Sequence, residues 1–158
     1  MIKTKQITLA LVTAGAVLLT RSASGAIACD PDNGGLTLPP GFCALVVANN
    51  LGEARHAAVA PNGDLYVALM NGGIVALHDA DGDGRFEIDE KFGEGSATRI
   101  ALRDGYLWVA KMNSVERYKM TPGQLKPAGE PEVVVSGLPG VRQHGDKGIA
   151  FDDNGPCM

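Results

Sequence analysis

Basic residues are in deficit: 14 lysines and arginines stand against 18 aspartates and glutamates, a net charge of −4 over 158 residues. Nothing in that balance recruits nucleic acid or an anionic membrane surface. Sustained helical periodicity is missing too, because prolines and glycines interrupt every candidate segment. No apolar run reaches the roughly 20 residues of a membrane span. The longest, Ile7 to Leu19, is broken by Thr8, Thr13 and Gly15. A phosphate loop is absent as well: Gly93-Glu94-Gly95 is followed by neither a lysine nor a helix. Cysteine is sparse, with three in the chain.

What is present begins with an export signal. Lys3 and Lys5 precede the apolar run, and Ala26-Ile27-Ala28 supplies the small-x-small pattern of a cleavage site, so residues 1–28 read as a signal peptide. A membrane anchor and lipidation at Cys29 are the competing readings. Cleavage leaves eleven basic residues against eighteen acidic ones, a net charge of −7. The expected product is a periplasmic or secreted protein with no membrane attachment, suited to binding cations. In that compartment Cys29 and Cys43 are expected to pair. A bridge closing that loop contributes about 3 kcal/mol by chain entropy.

Glycine accounts for 21 residues, about twice the usual share, as in a turn-rich β protein. The glycines recur in a pattern. Ala58 to Ala68 reads as strand, glycine turn, strand; the pattern returns from Ile100 to Ala110 and starts again at Ile149. The turn glycines Gly63, Gly105 and Gly155 are 42 and 50 residues apart. Such a period, with strands between the copies, predicts propeller blades.

Two sets of four strands are expected: Ala57–Ala60, Asp64–Leu69, Gly73–Leu77 and Ile88–Phe92, then Thr98–Leu102, Tyr106–Lys111, Ser114–Lys119 and Glu132–Val135. The organisation is thus a lead-in over 29–56 containing one strand (Ala44–Ala48), blades over about 57–92 and 98–135, and a third begun at 147. The fold class is all-β, an incomplete β-propeller; an eight-stranded sandwich is the structural alternative. Closed propellers take about four to eight blades, so the chain is expected to be the front part of a longer protein or a truncated relative of one. Tyr66, Trp108 and Tyr118 sit on strands at blade spacing, as core or inter-blade packing.

With the signal peptide, Cys29, Gly41-Phe42-Cys43, Ala54-Arg55-His56, Pro61-Asn62-Gly63 and the tail from His144 in view, residues 29–155 resemble the N-terminal third of the periplasmic glucose/sorbosone dehydrogenases. Those are six-bladed propellers that use pyrroloquinoline quinone (PQQ) and calcium to oxidise sugars. The resemblance is most specific at His144, eleven residues before the turn glycine Gly155 with Ile149 and Phe151 between. It implies that His144 is the general base taking the proton of the sugar's C1 hydroxyl, a role suited to a side chain titrating near neutrality. His144 would lie in one of three loops at a channel mouth, Asn49–His56, Gly93–Ala97 and Gly137–Asp146, with His56 and Glu94 or Arg99 nearby. His56, at the start of an apolar strand, reads as structural, and His78 is assigned no role. The later blades, where relatives hold most of the quinone contacts and its calcium, lie outside this sequence.

One further motif stands apart from the resemblance. Asp79 to Glu90 matches a twelve-residue calcium loop: Asp79, Asp81 and Asp83 at positions 1, 3 and 5, Gly84 at the sharp turn, the Arg85 carbonyl, and Glu90 at position 12. A strand precedes it rather than a helix, so it is expected to join two blade strands and stiffen them with Ca2+. Two functions besides the sugar dehydrogenase fit these features: a calcium-stabilised binding propeller without chemistry, and a propeller lactonase.

Overall fold

Apolar runs of five or six residues, each closed by a glycine turn, fold back on their neighbours as antiparallel hairpins. The computed structural model, which describes residues 27–140, 147–152 and 155–157, arranges them in two four-stranded sheets and a hairpin. The first sheet runs in the order β1 (Ala54–Val59), β2 (Leu65–Leu69), β3 (Ile74–His78), β4 (Ile88–Phe92). The second repeats that order with β5 (Arg99–Arg103), β6 (Tyr106–Ala110), β7 (Ser114–Lys119) and β8 (Glu132–Ser136). The hairpin pairs β9 (Ala150–Asp152) with β10 (Gly155–Cys157). Every pairing is antiparallel, and no α-helix occurs among the described residues. The chain is all-β, with blade-like sheets that do not close on themselves.

The β5–β6 connection shows why the repeat carries glycine. Arg103 pairs with Tyr106, leaving Asp104 and Gly105 as a two-residue turn with φ of 53° and 76°. Both values are positive, as the hairpin turn matching the strand twist requires.

Burial explains the composition of the central strands. Side chains alternate between faces along a strand, and both faces of β2 and β3 are covered. Tyr66, Ala68, Ile74 and Ala76 pack with Ile100, Leu107, Val109 and Tyr118 of the second sheet. The opposite face, Val67, Leu69, Val75 and Leu77, lies under Ala48, Leu51 and Phe86. A third cluster, Trp108, Ala110, Val115 and Ile149, joins the second sheet to the hairpin. Full burial of an aliphatic side chain contributes about 1.5–3 kcal/mol, so the sheet-to-sheet contacts are the main source of cohesion. The aromatic residues span the same junctions. Phe92 meets Tyr118 edge-on at 5.3 Å, Trp108 meets Phe151 at 5.4 Å, and the Tyr66 hydroxyl donates to the Leu125 carbonyl at 3.0 Å.

The lead-in differs from expectation at one point. Ala44–Ala48 is not a strand; its backbone groups are taken by side chains and a loop instead of a ladder. The Ala44 N–H donates to Asn33 Oδ1, the Val46 N–H to Asp30 Oδ2 at 2.6 Å, and the Val47 carbonyl accepts from the Phe86 N–H. The Cys29–Cys43 disulfide is formed, with the Cα atoms 5.8 Å apart. β1 begins at Ala54, three residues earlier than expected, through an irregular step between Ala54 and His56 that extends its pairing to Leu69. The signal segment, residues 1–26 of it, lies outside the described residues.

Candidate functional site

Because the strands alternate in direction, the loops divide between two ends of the sheets. One end carries the segment before β1, the β2–β3 turn and the β4–β5 loop, all joined by backbone bonds. The Met70 N–H donates to the Glu53 carbonyl at 2.9 Å, the Gly73 N–H to Gly95 at 2.9 Å, and the Ala97 N–H to Leu69 at 3.0 Å. The loop after β8 starts at the same end, where the Leu138 N–H donates to the Asn113 carbonyl. It resumes with the Lys147 N–H donating to Thr98 Oγ1. His144 belongs to this connection and lies outside the described residues.

Two of the remaining residues expected at this end are near one another. His56 is half-buried on β1, and its Nδ1 has no hydrogen-bond partner among the described residues. Burial first, and the positive field of Arg99 second, hold its imidazole below the ordinary 6.5. Arg99 opens β5 with its side chain exposed, and Glu94 is exposed in the preceding loop.

The acidic loop sits at the opposite end, between β3 and β4. Asp79, Asp81, Asp83 and Glu87 each offer an oxygen within 4.8 Å of the others. The backbone arranges them: Asp79 accepts from the Gly82 and Gly84 N–H groups at 2.7 and 2.9 Å, Asp81 from Asp83, and Asp83 from Arg85 at 2.7 Å. Partial desolvation pushes the Asp79 carboxyl up, but backbone N–H donors from Gly84, Gly82, Asp83 and Asp81 outweigh it and hold the group below 3.8. Gly84 has φ +89°, and a Cβ there would come within 2.9 Å of Ile27.

Glu90, expected at position 12, is not with them. It lies on β4 opposite Ala76 and is ion-paired to Lys126 at 2.5 Å. The fourth carboxylate is that of Glu87, at position 9. A strand continues after this loop instead of the helix that turns position 12 inward. Arg85 sends its guanidinium to Asp30 at 2.6 Å and to the Val46 carbonyl at 3.0 Å, fastening the loop to the lead-in.

Sequence reasoning passed over a third group. Asp64 is 5% exposed and precedes β2; His78 ends β3. His78 Nδ1 lies 2.6 Å from Asp64 Oδ1, and Asn62 Nδ2 donates to Asp64 Oδ2 at 2.7 Å. The signal was legible in the hairpin register, since Leu65 pairs with Leu77 and the next pair outward is Asp64 with His78.

In sequence, the chain matches no protein family and no curated protein. In structure it is similar to the PQQ domain of pyranose dehydrogenase from Coprinopsis cinerea in its holo form, with TM-score 0.65 and 14% identity, over 76% of this chain and 30% of that one. It is also similar to the calcium structure of a Trichoderma reesei carbohydrate-active enzyme of family AA12, with TM-score 0.52 and 14% identity, over 60% of this chain and 25% of that one. The chain thus spans less than a third of the length of either structure. What it shares with them is the fold: consecutive four-stranded, blade-like sheets of the kind found in a PQQ domain.

Proposed function

We propose that this chain contributes the leading blades of an exported, PQQ-dependent sugar dehydrogenase of the glucose/sorbosone type. The observation that supports the reading best is the similarity to a PQQ domain over 76% of the chain. The His144 motif supports it from the sequence side. In sequence His144 falls between β8 and β9, in a connection that leaves beside Asn113 of the β6–β7 turn and resumes beside Thr98, just before β5.

The described residues fit a quinone bearing carboxylates in one respect. The buried, unpartnered Nδ1 of His56 and the exposed guanidinium of Arg99 offer hydrogen-bonding and positive groups at that end. When bound, PQQ supplies the hydride acceptor. The protein's own part is to orient the sugar and hold a base: His144 removes the hydroxyl proton, and a neutral imidazole does so at physiological pH. At the far end from the proposed chemistry, Asp79, Asp81, Asp83 and Glu87 would hold Ca2+, whose charge would offset the repulsion among the four carboxylates and stiffen the β3–β4 connection.

The test is dye-coupled oxidation of aldoses with PQQ and calcium added, in protein carrying the further blades this reading requires. Activity that falls by about 10²–10⁴-fold in His144→Ala is the expected result. Absence of quinone binding, or lactone hydrolysis without quinone, would refute it.

A further inference from the structure

The end of the sheets away from the proposed chemistry holds a cavity of about 520 Å³, between the β1–β2 turn, the start of β4 and the β7–β8 loop. That size lies within the range of small-molecule sites. Its polar wall is built. Asp64, buried to 5% exposure, has both carboxylate oxygens occupied, by Asn62 and by His78 Nδ1. An ionised carboxylate only accepts, so Nδ1 carries the proton, and in the neutral imidazole Nε2 is left as an acceptor. The half-exposed His78 ring lines the cavity together with the Glu90–Lys126 pair. Gln124 and the apolar residues Ile88 and Leu125 complete the lining.

The balance of charge selects the ligand. Two carboxylates, Asp64 and Glu90, oppose an anion, and the Lys126 ammonium opposes a cation. What remains is a neutral molecule rich in hydroxyl groups, each both donor and acceptor, with a C–H face to lay on Ile88 and Leu125. We propose that this cavity is a non-catalytic binding site for a pyranose unit, with His78 Nε2 accepting from a ring hydroxyl and Glu90, Gln124 and Lys126 engaging its neighbours. The site needs neither quinone nor His144, so it stands or falls apart from the dehydrogenase reading.

NMR of the full chain without PQQ, titrated with glucose and with cellobiose, tests it. The expected result is saturable shifts of the Asn62 and Gln124 side-chain amides, with affinity weakened at least about tenfold, the scale of one lost buried hydrogen bond, in His78→Ala. Lys126→Met, a change at an exposed side chain, serves if His78→Ala does not fold, and is expected to weaken binding in the same direction. No saturable shift with either sugar overturns the proposal, as does binding that both variants leave unchanged.

Discussion

Replacing Gly73 with alanine tests how the first sheet is joined to the second. Gly73 has φ +71°, and a Cβ placed there would stand 2.3 Å from the Gly93 carbonyl oxygen and 2.6 Å from that of Phe92. The left-handed backbone alone costs an alanine about 1–2 kcal/mol. The clash is with backbone, so it cannot be relieved by rotating a side chain. The turn must instead withdraw from the β4–β5 loop and give up the bonds from the Gly72 and Gly73 N–H groups to Gly95, about 1 kcal/mol each. The sum is about 3–4 kcal/mol, a large share of the roughly 5–15 kcal/mol that holds a domain together. Gly63 is the control. Its φ is +96°, but a Cβ there meets nothing within 4 Å, so Gly63→Ala should cost only about 1–2 kcal/mol. Urea unfolding followed by circular dichroism gives both values. Equal losses in the two variants would show that close packing at Gly73 contributes nothing and that the β2–β3 turn is not a strut between the sheets.

The Tyr118 hydroxyl is pushed up to about 12, chiefly by burial and then by the fields of Glu116, Glu130 and Glu94. The neutral phenol is thus favoured in the folded protein; this stability is complete below the ordinary 10.0 and is lost as pH rises from there towards about 12. Alkaline unfolding should therefore shift to higher pH in Tyr118→Phe, and an unchanged midpoint would contradict the burial argument. At the acidic loop, calcium at a hundred times its dissociation constant should raise stability by about 2.7 kcal/mol. Calorimetry should show binding reduced in Asp81→Ala, Asp83→Ala and Glu87→Gln but retained in Glu90→Gln. Unaltered binding in the first three would remove the metal from the loop.

The fold was legible because blade strands advertise themselves twice, by continuous apolar runs such as Leu65–Leu69 and Ile74–Leu77 and by the spacing of Gly63 and Gly105. The runs are continuous, not alternating, because both faces of β2 and β3 are covered. Ala44–Ala48 looks the same in composition and still forms no ladder, since the Asp30 and Asn33 side chains capture its backbone from the far side of the disulfide loop. Such long-range side-chain capture leaves no local pattern. Glu90 misled for a related reason: the twelve-residue spacing assumes a helix after the loop, whereas pairing with β3 holds Glu90 on a strand. The Asp64–His78 contact needed only the register, which became readable once the turn between β2 and β3 was placed. His144 rests on the sequence pattern alone.

The reach of Arg85 has a consequence for when the protein becomes fully ordered. Its guanidinium clasps Asp30, the residue after Cys29, while its own N–H donates to Asp83. The Cys29–Cys43 bridge and the acidic loop therefore draw on one shared scaffold, and ordering either one lowers the entropic cost of ordering the other. The lead-in and the β3–β4 loop are therefore expected to become ordered together and not one after the other.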